Sequence, residues 1–186
     1  MPEPLTGDHL ATVLLRGLQP ARVVLAEPDP EWTVRFAWRA AQLRAVLGER
    51  ALRIEHHGST SVPGLVAKPI VDMVLCVADP DDEPAYLPEL TALGYELRVR
   101  EPGHRCLRIG EPAEPVNLHC WAPDDPEVRR VLLFRDRLRA DAADRDRYAA
   151  VKRELARREW RDINFYADAK GSMIREILGR AGWAEG

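Results

Sequence analysis

The chain has 186 residues, 46% of them hydrophobic and 31% charged, with a formal net charge of −3 at pH 7. That size and apolar share suit one domain with a buried core, and the near balance of charge speaks against a general nucleic-acid binder, which presents a strongly basic face. The opening MPEPLTGDHL has neither a basic flank nor an apolar run, and no stretch is long enough to span a bilayer, so neither a signal peptide nor a membrane segment is expected and a cytoplasmic protein is.

In chain order, a short helix is expected over His9–Leu18 and a short strand over Arg22–Leu25. Asp29-Pro30-Glu31 reads as a helix start, with an Asx cap, Pro at the first position and an acid in the first turn. Trp32, Phe36, Ala40, Leu43 and Leu47 then form one apolar helical stripe that stops at Gly48. Ala51–His56 predicts a strand. Ile70–Val77 predicts another, nearly all apolar and therefore central and covered on both faces. Tyr86–Leu93 predicts a helix ended by Gly94. Tyr95–Arg100, Arg105–Ile109 and Val116–Trp121 predict a three-strand, largely antiparallel meander. From Asp125 onward three helical stripes follow: Val128 to Ala142, Tyr148 to Leu155, and Ile163 to Ile177.

The spacing therefore predicts an α+β fold, a small mixed sheet with flanking helices and a C-terminal helical lobe. The division is expected at residues 1–124 and 125–186, which together can also form one compact domain. Cys76, Cys106 and Cys120 have no Cys-x-x-Cys spacing, so reduced core thiols are expected, with a zinc site as the alternative.

Two features point to chemistry. The run HHGSTSVPGLVAKPIVDMVL, His56 to Leu75, places a Gly-Ser-Thr turn before a strand with one acid, Asp72, in its middle. A lone acid in so apolar a strand costs folding energy unless something pairs with it. The second feature is the basic residues, which are all Arg except Lys68, Lys152 and Lys170. Such lysines can mark places that need a compact ammonium. Tyr148 to Lys152 and Tyr166 to Lys170 repeat one form, Tyr-Ala-x-x-Lys, with each pair on one helix face. The Arg-rich segment 129–162 reads as solvated helix faces with paired charges. Arg135, inside an apolar stripe, needs a carboxylate or phosphate partner.

The His56–Leu75 run resembles the GrpB family, whose members are similar to the nucleotidyltransferase superfamily. Asp29-Pro-Glu-Trp32, Asn117-Leu-His119, Phe134-Arg-Asp136 and the two Tyr-x-x-x-Lys segments extend the resemblance over roughly residues 23 to 183. The resemblance implies a nucleotidyltransferase-type sheet, a helical lobe that closes the cleft, and a Gly-Ser turn at nucleotide phosphates. It also implies a strand Asp-x-Asp or Asp-x-Glu pair for divalent metal, often with a third carboxylate on a later strand. Here Gly58, Ser59 and Asp72 match. Val74 stands where the second carboxylate belongs, Asn117 and His119 share the face where a third would lie, and Glu111 and Glu114 sit in the loop before it.

The expected site on this reading has Asp72 and His119 as catalytic groups and Asp72, His57 and His119 toward a metal. Gly58, Ser59, Thr60, Lys68, Arg135, Lys152, Tyr166 and Lys170 would serve the phosphates. The expected cofactor is a divalent metal, Mg2+ first and Mn2+ or Zn2+ as alternatives. The expected ligand is a nucleoside triphosphate with an unknown small-molecule or protein acceptor, on a monomer or weak homodimer. The alternatives are a nucleotide- or partner-binding domain without turnover, as in GrpB-like domains fused to dephospho-CoA kinase, and a His/Asp metal-dependent hydrolase. The chain has no Gly-x-x-x-x-Gly-Lys-Ser/Thr loop, so it is not expected to be the kinase itself.

Overall fold

A computed structural model describes residues 6, 7, 12, 14, 15, 18, 20–110 and 115–184. The helix expected over His9–Leu18 falls mostly outside them, as do Glu111 and Glu114; Leu14 forms one antiparallel bridge with Val99.

A short strand, β1 (Ala21–Arg22), leads to α1 (Glu31–Leu47), whose first turn is held by the Asp29 carboxylate accepting from the Glu31 N–H at 2.9 Å. Then come β2 (Arg53–His57), a 3-10 turn at Ser59–Ser61, β3 (Val71–Cys76), α2 (Leu87–Ala92), β4 (Glu96–Glu101), β5 (His104–Ile109) and β6 (Val116–Trp121). The five longer strands form one sheet in the order β2-β3-β6-β5-β4, with β3 and β6 parallel and every other pair antiparallel. The meander is present in the predicted sense, and β3 is central, with both faces buried except at Asp72.

The period-2 alternation of the strands sets the two faces. Met73, Leu75, Leu118 and Leu107 pack with Trp32, Leu43 and Leu47 of α1 and with Tyr86, Leu90 and Tyr95 into the main core. Asp72, Val74, Asn117, His119 and His57 take the alternate positions and so face the other way.

The helices after β6 cover part of that second face. Helix α3 (Pro126–Ala140) opens with the Asp125 carboxylate accepting from the Glu127 N–H at 2.8 Å. Its Val128 and Leu132 pack on Val74, Cys76 and Trp121. Helix α4 (Ala142–Leu155) packs Tyr148 and Ala149 against Val62, Leu65 and Val66 of the loop before β3.

The third C-terminal stripe is two helices rather than one, α5 (Ile163–Asp168) and α6 (Gly171–Arg180). The Lys170 N–H turns back to the Ala167 carbonyl, and Gly171, a poor helix former, starts a new helix. The apolar residues of the stripe divide between two clusters, Tyr166 packing with Val23 and Leu155 and Ile177 with Val62 and Tyr148. A further strand, β7 (Glu159–Trp160), pairs antiparallel with β1 and was not evident in the sequence. The strand expected over Arg22–Leu25 is shorter for a related reason: beyond Arg22 the chain leaves β7 and bridges to the loop at Ala67 through Ala26.

No described helix is long and apolar enough to cross a membrane.

Candidate functional site

Where α3 stops covering the sheet, a cleft of about 920 Å³ opens between the second sheet face and the C-terminal helices. That is large enough for a nucleotide-sized ligand. Register places His57, Asp72, Asn117 and Arg108 opposite one another in one row across four strands, and all four line the cleft.

Gly58 forms the bend that ends β2, with φ 67° and ψ −173°, a region open essentially to glycine alone. A Cβ there would lie 2.4 Å from Asp72 Oδ2, so glycine is required by close approach as well as by conformation. Asp72 Oδ1 accepts from Asn117 Nδ2 at 2.8 Å. Burial works against charge on Asp72, but His57, His119, Lys68 and the Asn117 hydrogen bond outweigh it and hold the carboxyl below the usual range.

The three lysines of the chain all line this cleft. Lys68 comes from the loop before β3, Lys152 from the last turn of α4, and Lys170 from the junction of α5 and α6. Each lies against an aromatic ring. Lys170 Nζ is 4.4 Å and Lys68 Nζ 5.8 Å from the Tyr166 ring centroid, and Lys152 Nζ is 5.6 Å from that of Tyr148. Lys152 is buried and donates to the Val66 carbonyl. Burial, then Lys170 and Lys68, push its pKa down to about 6; burial and Lys68 push that of Lys170 down to about 8. Lys68 is also lowered, by burial.

A protein-family model described as "GrpB protein" matches residues 22–180. The chain belongs to the GrpB family. Among its curated relatives, UPF0157 protein BH1888 of Halalkalibacterium halodurans is 48% identical over 183 residues, covering 96% of this chain and 93% of the relative. A dephospho-CoA kinase of Mycolicibacterium paratuberculosis is 31% identical over 198 residues, covering 91% of this chain and 49% of that protein. The crystal structure of the conserved protein GrpB from Enterococcus faecalis superposes with a TM-score of 0.74 at 32% identity, covering 85% of this chain and 96% of that one. The Cid1 poly(U) polymerase, in a structure with MgGTP bound, superposes with a TM-score of 0.50 at 16% identity, covering 72% of this chain and 45% of that one. At that identity the likeness is one of fold, and the fold of this GrpB-family chain is nucleotidyltransferase-like.

On that fold the expected site residues sort into three groups. Gly58, Ser59, Lys68, Asp72, His57, His119, Lys152, Tyr166 and Lys170 line one cleft. Thr60 lines it too, but its hydroxyl is engaged, donating to the Ile70 carbonyl at 3.2 Å and lying 3.0 Å from His56 Nε2, so it braces the turn. The Ser59 hydroxyl is hydrogen-bonded to Tyr148.

Arg135 does not join them. Its guanidinium is 2.8 Å from Glu55 Oε2 and 2.7 Å from Asp136 Oδ1 and donates to the His56 carbonyl at 2.9 Å. Its expected phosphate role gives way to tying α3 to β2, because carboxylates already satisfy it. The adjacent histidines point to opposite faces: His57 lines the cleft, whereas His56 stacks on Phe36 in the core with ring centroids 4.8 Å apart and a pKa pushed down to about 4 by burial.

The donor set does not fit a divalent metal. Among the described residues no group of three or more His, Cys, Asp and Glu side chains is placed to hold one. Val74 is fully buried under α3. Asp72 then accepts from Asn117, packs on Gly58 and interacts electrostatically with three lysine side chains.

Sequence reasoning missed a hydrogen-bonded chain on the β5 edge of the cleft. Glu101 Oε2 lies 2.9 Å from His104 Nδ1, and His104 Nε2 lies 3.1 Å from His119 Nδ1. When His104 is neutral, this chain places a proton on His119 Nδ1 and leaves Nε2 as an acceptor, 4.0 Å from Cys106 Sγ. His119 also stacks on His104 and Trp121. Burial, then His57 and His104, push its pKa down to about 3, so the ring is neutral. The strict alternation of His104, Cys106 and Arg108 with Leu107 and Ile109 was the available signal; the repeated Tyr-x-x-x-Lys form was the signal for Tyr148.

Proposed function

We propose that the cleft binds a nucleoside triphosphate, its phosphates seated against the Gly58–Ser59 bend beneath Lys68, Lys152 and Lys170. The observation that carries this reading is the convergence of all the chain's lysines, drawn from three separate segments, on one cleft of a nucleotidyltransferase-like fold. An ammonium is a compact, strongly hydrated charge suited to phosphate oxygens. The base and sugar would lie toward Asn164 and Tyr166 at the α5 wall, which lines the same space. Transfer of a nucleotidyl group would join an acceptor hydroxyl oxygen to the α-phosphorus and break its bond to the β-phosphate, releasing pyrophosphate against the lysines and the hydroxyl proton to solvent, with the neutral His119 ring placed to orient the acceptor through Nε2.

Binding without transfer is the second reading. The lone carboxylate of β3 and the burial of Val74 where a second would stand favour it, and the match to roughly half of a dephospho-CoA kinase suits a domain that assists a partner.

Calorimetric titration with ATP, GTP, CTP and UTP tests the binding. Wild-type protein is expected to bind at least one of them. Lys68→Ala and Lys170→Ala are each expected to weaken it about tenfold, ~1.4 kcal/mol. No binding by wild type, or equal binding by both variants, rejects the reading. Incubation with α-labelled nucleotide and cell extract separates the two versions: label transferred to an acceptor supports catalysis, and binding without transfer supports the assisting domain.

A further inference from the structure

We infer that the cleft takes its polyphosphate free of divalent metal, with the ammonium groups of Lys68, Lys152 and Lys170 as the counter-charge. This rests on the triphosphate reading and specifies the form of ligand that the site accepts.

Charge is the first reason. Four carboxylates line the cleft, and Asp72 is the one that interacts electrostatically with each of the three lysines; Glu101 pairs with His104, Asp162 accepts from Asn164 at the head of α5, and Asp168 is exposed. Arg108 adds a fourth cation to the same row of the sheet. Lys68 and Lys170 make no ion pair among the described residues; both ammonium nitrogens lie over the Tyr166 ring. A hard dication placed among the lysines would meet repulsion from several directions, whereas a phosphate chain there would be attracted by them and repelled chiefly by Asp72.

Ligand supply is the second reason. Mg2+ demands near-octahedral oxygen coordination. Asp72 Oδ1 is taken by the Asn117 amide, and Oδ2 packs against Gly58. Two residues along, Val74 lies under α3, and across the parallel register β6 presents an amide and an imidazole where oxygen anions would be needed.

The walls give a third, independent reason for a ligand. His57 Nε2 and the Tyr166 hydroxyl are buried at this cleft and make no hydrogen bond among the described residues. Buried groups of that kind are uncommon unless something else satisfies them.

Equilibrium binding of ATP, GTP, CTP, UTP and inorganic tripolyphosphate is measured in EDTA and again with excess Mg2+. Binding in EDTA at least as tight as in Mg2+ is expected, because the metal competes with the lysines for the same oxygens. Binding that requires Mg2+ overturns the inference and leaves the triphosphate reading standing; no binding under either condition overturns both. Asp72→Asn supplies the opposite-sign control. If Asp72 held a metal, the variant would lose binding. Here it removes a negative charge beside the phosphates, so affinity in EDTA is expected to rise about threefold or more. A loss of affinity in a folded Asp72→Asn protein counts against the inference. Lys170→Ala, at a half-buried helix junction, is expected to lose about tenfold in EDTA; an unchanged affinity also overturns it.

Discussion

At the scale of single residues, the site depends on Gly58 and Asp72 as a pair. Their contact makes each identity dependent on the other: the bend needs a residue without Cβ, and the carboxylate fills the space that a Cβ would take. Gly58→Ala is expected to cost roughly 3 kcal/mol or more in urea unfolding, combining a glycine-only backbone region with overpacking. Asp72→Ala removes the oxygen that the new methyl would strike. In that background the cost of Gly58→Ala is expected to fall by about 1 kcal/mol, the coupling of a contacting pair. The same cost in both backgrounds would leave backbone conformation as the whole reason for glycine.

At the scale of elements, the legible parts were those with strong local periodicity. The α1 stripe, the apolar β3 run and the alternating β5 and β6 strands each carry their own signal; the β6 bounds are the expected ones, those of β3 differ by one residue at each end and those of β5 by one at its start. The Gly-Ser turn, Asp72 and the two Tyr-x-x-x-Lys pairs were visible for the same reason. What was not legible depends on pairing between distant segments. The β1–β7 ribbon is two residues wide on each side and has no periodicity to read. Arg135 looked like a ligand group because sequence cannot show that Glu55, eighty residues earlier, reaches it. Glu101 and His104 gained meaning only when β5 was laid beside β6.

Asp144 is another case in which partners decide the role. It sits near the start of α4, nearly inaccessible, 2.7 Å from Arg137 of α3 and 2.5 Å from Arg180 of α6. Arg180 and then Arg137 hold its carboxyl below the usual range against the effect of burial. Asp144→Ala is expected to cost about 2 kcal/mol near neutral pH, because it strips two guanidinium groups of their shared partner. The folded pKa is depressed, so the stabilisation is present above the unfolded value and lost as pH falls through the folded one. The gap between wild type and variant, followed by urea unfolding, should therefore narrow below about pH 4.

At the scale of the whole molecule, the lysine cleft sets binding against stability. Lys152 is surrounded from every packed element: Lys68 from the loop, Lys170 from the helix junction, Arg153 on its own helix, Tyr148 beneath it and Asp72 from the sheet. Among these charged groups only Asp72 favours its charge. With its pKa held at about 6 in the folded chain and at ~10.4 in the unfolded one, the unfolded state holds a proton that the folded state lacks across that interval. Stability must then rise with pH in the window, by at most ~1.4 kcal/mol per pH unit for this group. Lys170 adds in the same sense from about 8 upward. Lys152→Met removes the first contribution. The stability of wild type relative to that variant is expected to climb between about pH 6 and about pH 9 in urea unfolding, and a flat difference would show that Lys152 keeps its proton in the fold. A bound polyphosphate reverses the sign. It favours the protonated lysines, so binding takes up protons and stabilises the fold more at the acidic end of the same window, where the empty cleft is least stable. On the proposed reading, a polyphosphate held by cations from three segments would become part of what holds the helices to the sheet.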